Sequence, residues 1–204
     1  MPSLRLLSID ARAFGRDRAA LARTIASAQV DVACVHGAPH LLRWRSTCAA
    51  VGRRSGLVVV TGGRRAGANL VLSTLGVDVT RVRDLRFVGG SRLSPPGAAL
   101  AGLRFGGTDF VVASASLVGN AADRVAQTRE LQAAIDGLVP GRPPSIICAE
   151  GSERPGTAAW QALVENRVGV AGQIFVDGRV DVGEASEFDG STAVRPSIVA
   201  ELTV

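Results

Sequence analysis

Asp31-Val-Ala-Cys-Val-His-Gly-Ala-Pro39 is the stretch from which the fold of this chain is inferred most directly. Its apolar run ends at His36, a pattern typical of a buried β-strand followed by a turn. Residues 16–29 precede it, with apolar residues at helical spacing and arginines on the opposite face. Residues 4–10 form an earlier apolar run. The order strand, helix, strand therefore opens the chain.

The same pattern recurs further along the chain, separated by short strands with Gly and Pro between them. We predict strands at 56–61, 69–73, 77–88, 98–105, 109–117, 145–149, 173–176 and 197–204, and helices at 41–51, 121–138 and 157–166. Gly62-Gly-Arg-Arg-Ala-Gly67 lacks the Gly-Lys-Ser/Thr ending of a phosphate loop and precedes a strand, so we predict a β-turn there. Strand–helix units joined by antiparallel ribbons favour two packed sheets with helices outside, in one domain over residues 1–204.

Composition indicates a folded, positively charged protein. Hydrophobic residues make up 47% of the chain, which excludes a disordered class. The net charge of +5 comes from arginine, since the chain contains no lysine. This charge permits attraction to nucleic acid or other anions and shows no more than that, since lysine-free composition is also typical of a high-GC bacterium.

Targeting and redox features are few. No apolar run reaches the roughly 18–20 residues that cross a bilayer, so we expect no membrane partner. The N-terminus enters a strand pattern without a signal-peptide cleavage region, and we expect a cytoplasmic protein. Cys34, Cys48 and Cys148 lie in apolar stretches, which favours buried, reduced thiols.

Five segments, taken in order, resemble the endonuclease/exonuclease/phosphatase superfamily. Leu4-Arg-Leu-Leu-Ser-Ile-Asp-Ala-Arg12 is similar to its first strand, and 31–39 to its second strand, "D-V-V/I-x-L-Q-E-V". Val111-Val-Ala-Ser-Ala-Ser-Leu117 resembles "V-x-x-x-H-L". Ile146-Ile-Cys-Ala-Glu-Gly-Ser-Glu-Arg-Pro155 resembles "V/I-V/I-x-G-D-x-N-x-x-P", and Val194-Arg-Pro-Ser-Ile-Val-Ala-Glu-Leu202 the tail "S-D-H-x-P-V-x-A-x-L". The resemblance implies a four-layer α/β sandwich with two packed, mainly antiparallel sheets flanked by helices.

The resemblance also implies where catalysis would take place. In the family a Glu with nearby Asn and Asp side chains holds a divalent metal, one histidine paired with Asp activates water, and a second histidine stabilises the phosphoryl oxygens. Hard oxygen ligands suit Mg²⁺, and fixed donors suit the anionic transition state. The positions of this chain that match those residues are Asp10, Gly37, Ser116, Glu150, Ser152, Gly172 and Val194.

Most of these positions lack the family's functional group. Gly37 replaces the metal-binding Glu, Ser116 and Val194 replace the two histidines, and Gly172 replaces an Asp. The loop before residue 174, which helps form the family's substrate cleft, is also shortened to residues 164–173. We therefore predict a catalytically degenerate member that acts as a binding or scaffolding module, with no catalytic residues, no metal site and no cofactor.

The alternative hypothesis is a divergent metal-dependent phosphoesterase or nuclease. It would use Asp10, Glu150 and His36, with Mg²⁺ or Mn²⁺ held by the two carboxylates. Asn69, which also matches a family residue near the sheet edge, has no role that the sequence defines.

Arginines supply the remaining chemistry. Many of them cluster in one third of the chain: Arg43, Arg45, Arg53, Arg54, Arg64, Arg65, Arg81, Arg83 and Arg86. We predict a patch for the nucleic-acid backbone at Arg53, Arg54, Arg64 and Arg65. A solvated helix face and an unknown protein partner remain alternatives, and sparse aromatic residues argue against a base-stacking platform.

Overall fold

Two mixed β-sheets pack face to face, and helices cover their outer surfaces. The structure is a computed structural model that describes residues 3–14, 17–40, 42–89, 95–150, 155–188 and 197–204. Each sheet has six strands among these residues. No helix in this part of the chain has the length and apolarity needed to span a membrane.

The first sheet runs in the order β11-β12-β1-β2-β4-β3. Its strands are β1 (Ser3–Asp10), β2 (Val32–His36), β3 (Val58–Gly63), β4 (Asn69–Ser73), β11 (Asp181–Phe188) and β12 (Ser197–Thr203). Only β1 and β2 are parallel neighbours, with Asp10 opposite His36 at their carboxyl ends.

The second sheet has the corresponding arrangement, in the order β5-β6-β7-β8-β10-β9. Its strands are β5 (Asp78–Arg86), β6 (Gly97–Phe105), β7 (Thr108–Ser116), β8 (Ser145–Glu150), β9 (Arg167–Val170) and β10 (Ile174–Asp177). Here β7 and β8 are the parallel pair, and Ser116 lies opposite Glu150 at their ends. In each sheet, the parallel pair of strands therefore ends at an edge that carries polar side chains.

Successive side chains of each strand point to opposite faces of its sheet, so the apolar core is divided into layers. Leu6 and Cys34 of the first sheet meet Phe110 and Cys148 of the second in the layer between the sheets. Leu7, the neighbour of Leu6, faces the opposite way into the outer layer of the first sheet.

Four helices form the outer layers among the described residues: α1 (Arg18–Ser27), α2 (Trp44–Ser55), α3 (Ala121–Asp136) and α4 (Ala158–Val164). Buried residues of α1 and α2 pack on the first sheet, and those of α3 and α4 on the second. Asn120 begins α3 with a capping box, and Gly56 in the left-handed region ends α2. The predicted α/β sandwich with two mainly antiparallel sheets is confirmed.

The structure departs from the predicted elements in three places. It adds β9 and β11, which form edge strands of the two sheets. β11 exposes six of its eight residues, and β9 is only four residues long with one of them buried, so neither has the apolar run from which a strand is predicted. The predicted β-turn at residues 62–67 is the end of β3 followed by a short 3-10 turn, Arg64–Ala66, and it does lead into a strand.

Candidate functional site

The polar residues predicted at the strand ends meet at one edge of the sandwich. Asp10 ends β1 and Glu150 ends β8, so each sheet contributes one carboxylate. Ser116 ends β7, beside Glu150. Asn69 begins β4, which runs antiparallel to β2, and therefore lies at the same edge. The strand order within each sheet and the packing of the two sheets bring these four side chains together.

Arg12 lies between the two carboxylates. Its Nε and Nη2 donate to Asp10, at 3.0 Å to Oδ1 and 2.8 Å to Oδ2, and its backbone N–H donates to Oδ1 at 2.9 Å. The same Nη2 donates to Glu150 Oε1. One guanidinium thus joins the ends of both sheets. The carboxylate side chains of Asp10 and Glu150 are only 16% and 13% exposed, whereas the Arg12 side chain is 43% exposed.

Arg12 also determines the pKa of Asp10. Burial raises the pKa of this carboxyl, but the side-chain and backbone hydrogen bonds from Arg12, together with the charges of Arg12 and His36, lower it by more. The net result is a pKa below the usual range. Asp10 is therefore an anion at neutral pH, held as one half of an ion pair.

Gly37 lies directly beneath the stem of Arg12. A Cβ added at this position would be 2.5 Å from Arg12 Cγ and 2.9 Å from Cδ, closer than carbon atoms approach in proteins. The Gly37 backbone also has φ +63°, in the left-handed region that favours glycine. The space that the family's metal-binding Glu would need is therefore taken by the Arg12 side chain.

A network of buried hydrogen bonds adjoins the carboxylates of Asp10 and Glu150. Ser116 Oγ lies 2.9 Å from Glu150 Oε2 and 3.0 Å from Asn69 Oδ1. Asn69 is fully buried, and its Nδ2 donates to the carbonyls of Ala66, Gly67 and Gly97. These bonds fix the amide orientation, with Oδ1 as the acceptor.

His36 belongs to the same network. Its Nδ1 lies 3.1 Å from Asn69 Oδ1, and because that oxygen is an acceptor, Nδ1 carries the proton. Its Nε2 lies 3.3 Å from Ser8 Oγ. The ring is 1% exposed. This geometry suits a structural histidine better than the water-activating role of the alternative hypothesis.

Of the remaining predicted positions, Gly172 lies in a turn beside the end of β8, and the other two lie outside the described residues. Gly172 is in the turn between β9 and β10, with φ +73°. Ser152 and Val194 lie outside the described residues.

Mg²⁺ or Mn²⁺ does not fit the residues that the structure places here. Mg²⁺ requires near-octahedral oxygen coordination. Asp10 and Glu150 both direct oxygens at the Arg12 guanidinium, and Gly37 adds no side-chain oxygen. In the described part of the chain, no group of three or more His, Cys, Asp or Glu side chains is placed to hold a metal ion.

A basic groove of about 680 Å³ lies beside the cluster. Its described lining residues are His40, Leu42, Arg43, Trp44, Arg64, Arg86 and Pro95. A smaller cavity lined by Arg12, Ser116 and Glu150 shares two of them, His40 and Pro95, so the groove and the carboxylate cluster adjoin.

Trp44 and the arginines shape this groove. The indole packs against Gly63, whose added Cβ would come within 2.3 Å of the ring, and Arg45 lies 5.1 Å from the ring centroid in a cation–π contact. Arg86 Nη1 donates to the carbonyl of Arg64 at 3.4 Å, so two groove arginines are held side by side.

The structure distributes the predicted arginine patch over two regions. Arg64 lines the groove, and Arg65 follows it in the exposed 3-10 turn. Arg53 and Arg54 lie in the last turn of α2. At 1.5 Å per residue, Arg53 is about 14 Å along the helix axis from Trp44. The sequence interpretation missed Arg12 as a site residue, although an Asp-x-Arg pattern after a strand end is a signal for a local ion pair.

Comparisons with solved structures identify the fold. An endonuclease/exonuclease/phosphatase from Bacteroides vulgatus superposes with a TM-score of 0.75 at 12% identity, over 100% of both chains. A mannosyl-6-phosphatase from Bacteroides thetaiotaomicron gives 0.75 at 14% identity, over 98% of this chain and 100% of that one. D. rerio TDP2, in complex with a single-strand DNA product, gives 0.73 at 12% identity over 100% of both chains.

These likenesses establish an endonuclease/exonuclease/phosphatase fold, as the five sequence segments predicted. No protein-family model and no curated protein sequence matches the chain.

Proposed function

We propose that this chain is a non-hydrolytic binding protein that holds the phosphate backbone of a nucleic acid in the basic groove. The observation that carries the proposal is the groove itself, where Arg43, Arg64 and Arg86 line one concave surface with no acidic residue among its described lining. Guanidinium groups bind phosphate oxygens through paired donors, and such contacts position a nucleic acid without reading its sequence.

The apolar groove residues add a second kind of contact. Leu42 is 92% exposed, and Trp44 and Pro95 lie in the same lining. Apolar side chains at the surface suit contact with the sugars of a strand that lies along the arginines. The TDP2 structure, whose fold this chain shares, holds a single-strand DNA product, which agrees with a nucleic-acid ligand by analogy of fold.

Hydrolysis is not part of the proposal, for a physical reason. Metal-assisted phosphoester cleavage needs a cation that polarises the phosphoryl oxygen and activates water. The carboxylates that could hold that cation are paired with Arg12, and His36 is buried beneath them. The divergent hydrolase, which needs Asp10 and Glu150 free to coordinate metal, is therefore disfavoured.

Salt-dependent binding tests the proposal. Fluorescence anisotropy with a labelled single-stranded oligonucleotide would be measured across a range of NaCl concentrations. Each phosphate contact contributes roughly 0.7 to the log–log salt slope on a single strand. The variant Arg64→Ala/Arg86→Ala should therefore flatten the slope by about 1.4. The label should remain on full-length oligonucleotide in Mg²⁺ or Mn²⁺.

Arg53→Ala/Arg54→Ala is the matched control. It removes the same charge from exposed positions on α2 that lie outside the groove lining, so its slope should stay near that of the wild type. Equal flattening by both variants would instead support the wider patch predicted from the sequence. Absence of binding at low salt would overturn the nucleic-acid proposal, and metal-dependent cleavage would overturn its non-hydrolytic part.

A further inference from the structure

We propose that Arg12 takes the place of a divalent cation between the carboxylates of Asp10 and Glu150. A variant that lacks Arg12 should bind a divalent cation at this carboxylate cluster. The cluster's two carboxylates, Asp10 and Glu150, come from different sheets and are mostly buried. Two such anions at one place need a positive charge between them, because burial without compensation is costly and like charges repel. Arg12 supplies that charge from within the chain.

The contacts of Arg12 show that it bridges the two anions as a cation would. A single nitrogen, Nη2, contacts both Asp10 Oδ2 and Glu150 Oε1. Nε and the Arg12 backbone N–H add two further donors to Asp10 Oδ1. An ordinary surface pair would satisfy one carboxylate only, whereas this guanidinium joins the ends of β1 and β8.

The surroundings are adapted to the guanidinium. Gly37 leaves open the volume that the aliphatic stem of Arg12 crosses, since a Cβ there would overlap Cγ and Cδ. On the far side of the cluster, Ser116 Oγ contacts the other oxygen of Glu150 at 2.9 Å. The missing side chain at position 37 and the arginine at position 12 are therefore parts of one arrangement.

Removal of Arg12 leaves both carboxylates in place and opens the volume between them. A hard divalent cation then finds two anionic oxygen donors from two sheets, with water to complete its shell. We expect Arg12→Ala to bind Mn²⁺ saturably and to gain about 3–5 °C in melting temperature at ten times the dissociation constant. The wild-type protein should show neither effect.

Mn²⁺ binding by the purified full-length chain is the test, measured by loss of the free Mn²⁺ resonance and by melting temperature at matched ionic strength. Arg18→Ala is the control variant, because Arg18 lines the same cavity as Arg12 but, among the described residues, forms no hydrogen bond or ion pair with Asp10 or Glu150. It removes an equal charge and should gain no site. Adding Glu150→Gln to Arg12→Ala should abolish the acquired binding.

Each outcome decides the inference. Saturable binding by Arg12→Ala alone supports it, whereas equal binding by the wild type or by Arg18→Ala overturns it. No binding by Arg12→Ala also overturns it. If Arg12→Ala does not fold in chelator, refolding in Mn²⁺ is the measurement: recovery supports the inference, and failure in both conditions overturns it.

The inference rests on the proposed function only in its non-hydrolytic part, and the two fail differently. Mn²⁺ binding by the wild type would remove support from both. A failure of Arg12→Ala to gain a site would leave oligonucleotide binding in the groove untouched, since Arg64 and Arg86 do not contact the carboxylates.

Discussion

Gly37→Ala probes the packing of Arg12 against the backbone. The added Cβ would lie 2.5 Å from Arg12 Cγ, about 1 Å inside the contact distance of roughly 3.5 Å between carbon atoms. The stem of Arg12 cannot simply swing away, because its head is held by Asp10 at 2.8–3.0 Å and by Glu150. The substitution must therefore strain the bridge between the sheets or displace the backbone.

When Arg12 is present, Gly37→Ala lowers the free energy of unfolding for two reasons. Placing an L-residue at φ +63° costs about 1–2 kcal/mol, and overpacking against Arg12 adds about 1–3 kcal/mol. In an Arg12→Ala background the overlap disappears and only the backbone cost remains. Gly37→Ala should therefore be less destabilising there by about 1–3 kcal/mol, a coupling typical of residues in contact.

Equilibrium urea unfolding of the four proteins in this cycle gives the coupling energy directly. The effect of Gly→Ala on the unfolded chain is the same in both backgrounds and cancels. Gly172→Ala is the matched control, since Gly172 has φ +73° but no atom of the described residues within 4 Å of its added Cβ. Its cost should not depend on Arg12. Equal costs of Gly37→Ala in both backgrounds would refute the assigned packing.

Two further predictions concern titratable groups. The pKa of Asp10 is lowered in the folded state, so its pairing stabilises the fold above the unfolded value of about 4 and this contribution is lost as pH falls through the folded pKa. When the free energy of unfolding by urea is measured against pH, Asp10→Asn should therefore lose less stability at acid pH than the wild type. An equal loss would contradict the pairing of Asp10 with Arg12. Burial raises the pKa of the Cys48 thiol to about 11 and that of Cys34 well above its usual value. We expect the native protein near pH 8 to resist thiol reagents at Cys34, Cys48 and Cys148, and to react at all three when unfolded; rapid labelling of one native thiol would show an accessible cysteine.

The sequence was sufficient for the buried part of the fold because apolar runs report burial directly. The strand predicted at residues 69–73 is β4, and the strand predicted at 145–149 is β8 without its last residue. The edge strands β9 and β11 were not predicted, since β9 is only four residues long and β11 exposes six of its eight residues. Hydrogen bonding to a neighbour makes them strands, and a neighbour cannot be read from local periodicity.

The sequence predicts where the polar residues of the site lie, but not the contacts that they make. Strand ends correctly brought Asp10, Ser116 and Glu150 to one edge, because the order of parallel pairs constrains where carboxyl ends meet. The role of Arg12 depends on contact with Glu150, 138 residues away in the chain. No spacing rule covers such a pair. The groove has the same origin, since Arg64 and Arg86 meet only after two sheets pack.

The Arg12 guanidinium compensates the charge of the two carboxylates at this edge of the sandwich. Asp10 and Glu150 without a cation would repel each other at the junction of two sheets. A metal ion would solve this only at sufficient concentration, whereas Arg12 is present in every folded molecule. The guanidinium, however, has no open coordination position and holds no activated water. Under the proposed function, an arginine in this place keeps the two sheet ends together without the chemistry that a metal would supply, and the adjoining arginine groove is the part of this edge proposed to bind the ligand.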